Sequence, residues 1–375
     1  MRIVPVNSVK GEAYLARDLY NSKSKVLLKR GVLLTEHLLK KIHNNNIYTI
    51  YIEDKYSSES IKEVIKPELR IKAIETIKET FKNIEKDNRF SKKESQGLKK
   101  NLGIRRMEKY LDNMKSISES IIEDLTSNTN LLVNLVDLKN VSTYTYEHSV
   151  NVAIISLVLG MELKFSRNEL QTLFIGALLH DIGKTLLPEE IINKEEKLSE
   201  TEKELTKTHS QLGYNYLKEN FALSTKSNIV VLQHHERFDG LGYPNGTYGK
   251  AIHLYSRIVA VANVFDSMTS DKPSSNAIMP NEALEFIMGN AGKQFDFEIV
   301  DIFSKKIMLY TVGTLVMLSN NAPCVVVSQN TNLPLRPKVK VIDKRRKDYN
   351  EIYDLSIKTN IVISSVIYNY SDENV

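Results

Sequence analysis

Cysteine occurs once in the 375 residues, at Cys324. That excludes an intrachain disulfide and a cysteine-based zinc site, and it points to a reducing interior. Long hydrophobic runs are missing too. The longest, VAIISLVLGM from Val152, falls far short of a bilayer span and carries a serine. The opening MRIVPVNSVKGEAYLARDLY has no apolar core of signal-peptide length. A soluble, cytoplasmic chain without a membrane span is expected. An excess of one charge is nearly absent: 51 Lys and Arg stand against 46 Asp and Glu, a net charge of +5. The lysines are interleaved with glutamates, as in IKETFKNIEKDNRFSKKE, which reads as a solvated helix face. No concentrated basic face with interleaved aromatics occurs, and no reader motif, so DNA and RNA are not expected partners. A small anionic ligand fits the mild positive balance. Repeats and low-complexity segments are absent as well.

What is present is ordinary globular material, 42% hydrophobic and 26% charged, long enough for two or three domains. Residues 1–54 alternate β-like runs (RIVPV, KVLLKRG, IYTIYIED) with one helical stretch, LTEHLLKKIHNNN, and read as a small α+β module. Residues 55–120 place Ile71, Ile74, Ile77, Phe81 and Ile84 at helical spacing in a Lys/Glu-rich background. This predicts a long exposed helical connector, able to dimerise the chain and interrupted at Gly97 and Gly103. Residues 121–310 hold successive amphipathic helices, among them NLLVNLVDL, TYEHSVNVAIISLVLG, SRNELQTLFIGALLHD, SETEKELTKTHSQLGYNYLKE, SNIVVLQHH and LYSRIVAVANVFDSMTS. Residues 311–375 turn β-like (VGTLVML, PCVVVSQ, KVKVI, NIVISSVIY) and predict a small β extension.

Six of the eight histidines lie between His148 and His253, inside the helical region. A lone histidine on an apolar helix face is more often packed core than a ligand. Here four separate helices each carry one: His148, His180, His209 and the pair His234–His235, and Asp181 follows His180 directly. Histidine favours borderline divalent metals, and helical bundles build metal sites from inward-facing side chains of different helices. Adjacent residues on a helix diverge by about 100°, so Asp181 is able to bridge two ions while His180 binds one. One ion does not easily use six ligands and keep a position open for substrate, whereas two ions do. A pair roughly 3.5–4 Å apart is the usual device for in-line phosphodiester hydrolysis.

The order His148, HDIGK, His209, HHERFDGLGYP resembles the HD-GYP family of the HD phosphohydrolase superfamily, supported by EHSVNVA, SRIVAVANVFDSMTSDKP and AGKQFDFEIV. The resemblance spans about residues 121–310. It implies a mostly α fold, an HD-type helical bundle flanked by the small N-terminal α+β module and the small C-terminal β extension. It further implies a metal-dependent phosphodiesterase that opens cyclic di-GMP to pGpG, GMP or both, with a metal-activated hydroxide attacking phosphorus. Carried onto this chain, the ligands fall on His148, His180, Asp181, His209, His234 and His235, holding two divalent ions, Mn or Fe. Lys184 matches the lysine beside the scissile phosphate. Tyr243 in the GLGYP turn, Arg237 and Lys272 become candidate contacts to substrate, and the turn itself a surface for signalling partner proteins.

Three positions depart from the family pattern. Tyr144 stands where trinuclear members carry a glutamate, which favours two ions over three. Asn263 replaces an aspartate of the metal sphere and brings no charge, while Asp266, three residues on, is placed to compensate directly or through a water. KPSS, from Lys272, replaces an arginine-led segment, and lysine lacks the bidentate fork suited to phosphate. A non-hydrolysing receptor for cyclic di-GMP, or a protein-interaction module, is therefore the alternative to the enzyme.

Overall fold

The computed structural model describes residues 1–20, 26–57, 65–91, 99–127, 144–270 and 278–370, apart from positions 46, 48, 193, 195–197, 279, 308 and 331. The expected helix NLLVNLVDL, Gly97 and Lys272 lie outside the described residues. The chain divides into two compact units.

The first unit joins both ends of the chain, Met1–Glu63 and Lys305–Val375, with Leu132–Tyr144. Its N-terminal part is a three-stranded antiparallel sheet of β1 (Arg2–Pro5), β5 (Thr49–Glu53) and β2 (Tyr14–Leu15), in the order β1-β5-β2. A hairpin of β3 (Leu19–Tyr20) and β4 (Val26–Leu28) and helix α1 (Glu36–Asn44) accompany it. Alternation in β1 and β5 sends Val4, Ile50 and Ile52 into a core with Leu15, Leu19 and Ile42. The C-terminal part is a five-stranded antiparallel sheet: β6 (Leu315–Leu318), β7 (Pro323–Ser328), β8 (Lys338–Val341), β9 (Ile352–Asp354) and β10 (Ile363–Val366). Its order is β10-β6-β7-β8-β9, so the last strand returns to pair with the first.

The second unit, Val64–Leu131 and Thr145–Ser304, is helical. It opens with α2 (Pro67–Ser91) and α3 (Lys99–Ser127). These are not an exposed connector. Ala73, Ile77, Phe81 and Ile84 of α2 and Met114, Ile117, Ile121 and Leu125 of α3 are fully buried, and each large apolar side chain contributes roughly 1.5–3 kcal/mol. Gly103 does not interrupt α3, which runs straight through it. A mid-helix glycine costs only about 1 kcal/mol relative to alanine, and the buried stripe outweighs it.

The site-bearing helices follow: α4 (Tyr144–Glu162), α5 (Arg167–Leu178), α6 (Glu189–Ile192), α7 (Glu200–Lys207), α8 (His209–Asn220), α9 (Thr225–Gln233), α10 (Leu254–Met268), α11 (Pro280–Gly289) and α12 (Phe297–Lys306). Ser166 with Glu169 and Ser199 with Glu202 form capping boxes that start α5 and α7. The stretch expected as one helix from Ser199 to Glu219 is two, separated at Thr208. The helix expected to include both adjacent histidines ends at Gln233, with His234 as its C-cap.

Candidate metal centre

Short-range chemistry sets the position of each histidine. His148 lies on the second turn of α4. His180 and Asp181 follow the end of α5 and lead into a 3₁₀ turn, Ile182–Leu186. His209 is the first residue of α8, just past the break at Thr208. The 3₁₀ turn and α8 close on each other at two glycines. A Cβ on Gly183 would lie 1.8 Å from the His209 carbonyl oxygen, and Gly213 faces the same turn. Only glycine permits that approach, which brings His209 to Asp181.

Asp181 is the hub. Its Oδ2 lies 3.8 Å from His148 Nε2 and 3.4 Å from His180 Nε2. Its Oδ1 lies 3.4 Å from His209 Nε2 and 3.8 Å from His234 Nε2. Two groups of potential ligands result, His148, His180 and Asp181, and Asp181, His209, His234 and His235, with the ligand atoms of each group within 4.8 Å of one another. All are buried except the half-buried His235.

The ring nitrogens are already oriented. His180, His209 and His234 each turn Nδ1 to the carbonyl three residues earlier, of Ala177, Thr206 and Val231, at 2.7, 2.7 and 2.9 Å. A carbonyl only accepts, so Nδ1 carries the hydrogen and, in the neutral ring, the Nε2 lone pair points inward. His148 does the same through a side chain, with Nδ1 2.7 Å from Asp266 Oδ2. Burial, reinforced by the neighbouring His235, holds His234 well below the ordinary imidazole value. Burial and His209 do the same to His235. Burial also lowers His148, although Asp266 pulls the other way. For Asp181 burial would raise the carboxyl, yet Lys184 and His180 together hold it well below the usual carboxylate range.

This donor set fits divalent metal. His209 and His234 bring two Nε2 atoms to 3.2 Å, lone pair against lone pair in the tautomers just assigned. His180 Nε2 and Asp181 Oδ1 are buried without a hydrogen-bond partner. Such atoms are costly unless a cation takes them up, and imidazole with carboxylate suits Fe, Mn or Zn.

The other sequence-predicted residues make the following contacts. Lys184 Nζ lies 2.6 Å from Asp181 Oδ2, with 41% of its side chain exposed. Tyr243 stacks on His235 with ring centroids 4.6 Å apart, and burial raises its phenol. Asp266 is engaged in orienting His148 and in accepting from Asn151 Nδ2 at 3.0 Å. Asn263 is buried, its Oδ1 accepting from Ser267 Oγ at 3.4 Å. Arg237 turns its fork to Asp239 at 3.0 and 2.6 Å, and to Gln294 at 3.2 Å, and so braces the loop.

Sequence reasoning missed Glu236. This buried carboxylate accepts from the backbone N–H groups of Asn245 and Thr247 at 2.9 and 3.1 Å, tying the glycine-rich turn to the histidine pair. Its only sequence signal was a charge directly after two histidines. Gly242 completes the turn, since a Cβ there would lie 2.3 Å from Arg237 N.

The model of the HD domain family matches residues 128–299, and that of the KOW domain associated with HD domain matches residues 315–374. A cyclic di-GMP phosphodiesterase of Pseudomonas aeruginosa is 36% identical over 235 residues, which cover 63% of this chain and 56% of that protein. The cyclic di-GMP phosphodiesterase response regulator RpfG of Xanthomonas campestris is 39% identical over 142 residues, 37% of each chain. The 3'3'-cGAMP-specific phosphodiesterase 1 of Vibrio cholerae is 34% identical over 190 residues, 50% of this chain and 43% of that protein. The chain thus spans less than two thirds of the length of each of these relatives. Among the described residues, no helix is long and apolar enough to cross a membrane.

Proposed function

We propose that residues 128–299, which match the HD domain family model, form an HD domain of the HD-GYP type, and that the chain is a metal-dependent phosphodiesterase acting on cyclic di-GMP, the substrate in the names of two of its relatives. The observation that supports this reading best is the division of Asp181, one oxygen toward each histidine group. In this reading His148, His180 and Asp181 hold one divalent ion, and Asp181, His209, His234 and His235 hold a second, with Mn or Fe as the metal. Such ions, when bound, supply Lewis-acid neutralisation of phosphoryl charge and lower the pKa of a water.

The protein's own contribution is orientation and charge. Three backbone carbonyls and Asp266 turn the four Nε2 atoms inward, toward Asp181. Lys184 contacts Asp181 and is part-exposed to solvent. It neutralises charge developing on the phosphate or gives a proton to the leaving oxygen. Tyr243, stacked on His235, is an aromatic contact for the substrate in this reading. The products are pGpG, GMP or both, and the site of action is the cytoplasm.

Purified chain supplied with Mn should open cyclic di-GMP and lose that activity on chelation. The test should include 3'3'-cGAMP, the substrate in one relative's name. Protein that carries two metals yet turns over neither dinucleotide would overturn the enzyme reading. The second reading, a non-hydrolysing receptor, is favoured by the neutral amide of Asn263. It requires a nearly inactive wild type in which Asn263→Asp creates turnover. The enzyme reading requires wild-type activity that depends on added metal, with Asn263→Asp lowering the metal concentration needed.

A further inference from the structure

One histidine of the cluster is held by a chain of side chains that leads out to a helix preceding the HD domain. His148 Nδ1 meets Asp266 Oδ2 at 2.7 Å, and Asp266 Oδ1 accepts from Asn151 Nδ2 at 3.0 Å. Asn151 Oδ1 in turn accepts from Arg70 Nη1 at 2.7 Å. His148, Asn151 and Asp266 are all nearly excluded from solvent, at 2%, 3% and 1% exposure. Arg70 lies on the first turns of α2.

From this geometry we infer that Arg70 is a positioning residue for the metal site. A guanidinium only donates, so it requires the carbonyl oxygen of Asn151 and thereby directs the amide N–H toward Asp266. Asp266, fixed at one oxygen, presents the other to His148 Nδ1. That choice sets the ring so that Nε2 faces Asp181. Every partner in the chain has one permitted polarity: Arg70 only donates and the Asp266 carboxylate only accepts, so both ends require the same Asn151 amide orientation. Arg70 anchors that amide, while Ser270 Oγ also reaches Asp266 Oδ2 at 3.3 Å. Partners behind a metal-bound histidine typically alter metal affinity or activity by about 10–100-fold. Arg70 stands two residues beyond that partner, and a smaller effect, on the order of threefold to tenfold, follows from that attenuation.

The inference rests on the metal-site reading above, and its test separates the two. Mn binding is measured by electron paramagnetic resonance titration of metal-stripped full-length chain, for wild type, Arg70→Met and Arg70→Lys. Methionine keeps much of the aliphatic stem and removes the donors, while lysine restores a charged donor. We expect Arg70→Met to weaken one of two Mn sites by about threefold to tenfold, and Arg70→Lys to recover part of it. Turnover of Arg70→Met should fall at limiting Mn, return with excess Mn, and leave KM for cyclic di-GMP unchanged. A merely structural arginine would instead lower the melting temperature of the metal-free protein and leave both Mn affinities alone.

Asn151→Ala opens the same chain from its buried end, and it carries the test if Arg70→Met does not fold. It should weaken the same site at least as much. The double variant should be no worse than Asn151→Ala alone, since both break one path. Unchanged Mn affinity in either single variant overturns the role of Arg70. A wild type that binds no Mn or Fe overturns the metal-site reading instead.

Discussion

The histidines that meet at Asp181 are held in two different ways. His180, His209 and His234 lean on carbonyls of their own helical turns, whereas His148 leans on the carboxylate of Asp266, from another helix. A backbone carbonyl comes with the helix, so no side-chain substitution removes it directly. A carboxylate is a side chain: it raises the basicity of the ring it holds, and mutation is able to delete it. One part of the site is therefore built in with the fold, and the other is open to tuning.

The largest effect expected among variants that leave both groups loaded concerns Lys184, which belongs to neither. Lys184→Ala should retain both metals and lower kcat by about 10²–10³-fold, the usual cost of removing a group that stabilises transition-state charge. Single-turnover kinetics with elemental analysis reads both quantities. Metal loss in this variant would make Lys184 part of the scaffold that holds Asp181.

Asp266→Ala removes the only side chain among these ring supports and should weaken one metal by about 10–100-fold while sparing the other. Isothermal titration would then resolve two sites of unequal affinity. Equal weakening of both would show that the groups are not independently supported.

Much of this candidate site was legible in the sequence, because a metal site of the kind proposed would demand histidines and a carboxylate, and these stand out as residue types. The five histidines, Asp181 and Lys184 could all be read from HDIGK, HHERFDGLGYP and the isolated His148 and His209. The supports were less legible, since contact across the fold leaves no local pattern. Nothing near Asn151 or Glu236 announces a partner 115 residues away or a loop nine to eleven residues on. The break at Thr208 lay inside a continuous helical periodicity, and the contact that exploits it depends on Gly183, distant in sequence. Helices α2 and α3 looked exposed because their Lys/Glu faces dominate the composition while a narrow apolar stripe does the packing. The strands of the first unit were visible as apolar runs. That both ends of the chain belong to one unit was not, since pairing between remote segments has no signature in either.

The smallest effect is on stability. The folded-state values of His234 and His235 lie well below the ordinary one of about 6.5. Below that pH the unfolded chain takes up protons that the folded chain refuses, so stability falls as pH drops, until the folded values are reached. Asp181 works in a separate window: its carboxyl is depressed, so its contribution is lost only below the ordinary aspartate value of about 3.9. Metal-free protein should therefore melt at progressively lower temperature between pH 7 and about pH 5. His235→Gln should flatten that slope more than His148→Gln, because Asp266 offsets the burial of His148. Equal slopes would remove the electrostatic side of the comparison.

One carboxylate is shared between two groups of histidines, and counting metal per chain tests that sharing most directly. Wild-type chain loaded with Mn, desalted and analysed for metal per chain should carry two ions, and Asp181→Ala should carry none and hydrolyse no cyclic di-GMP. Two ions retained per chain in Asp181→Ala would contradict the account, because the groups would then hold metal without the residue that joins them.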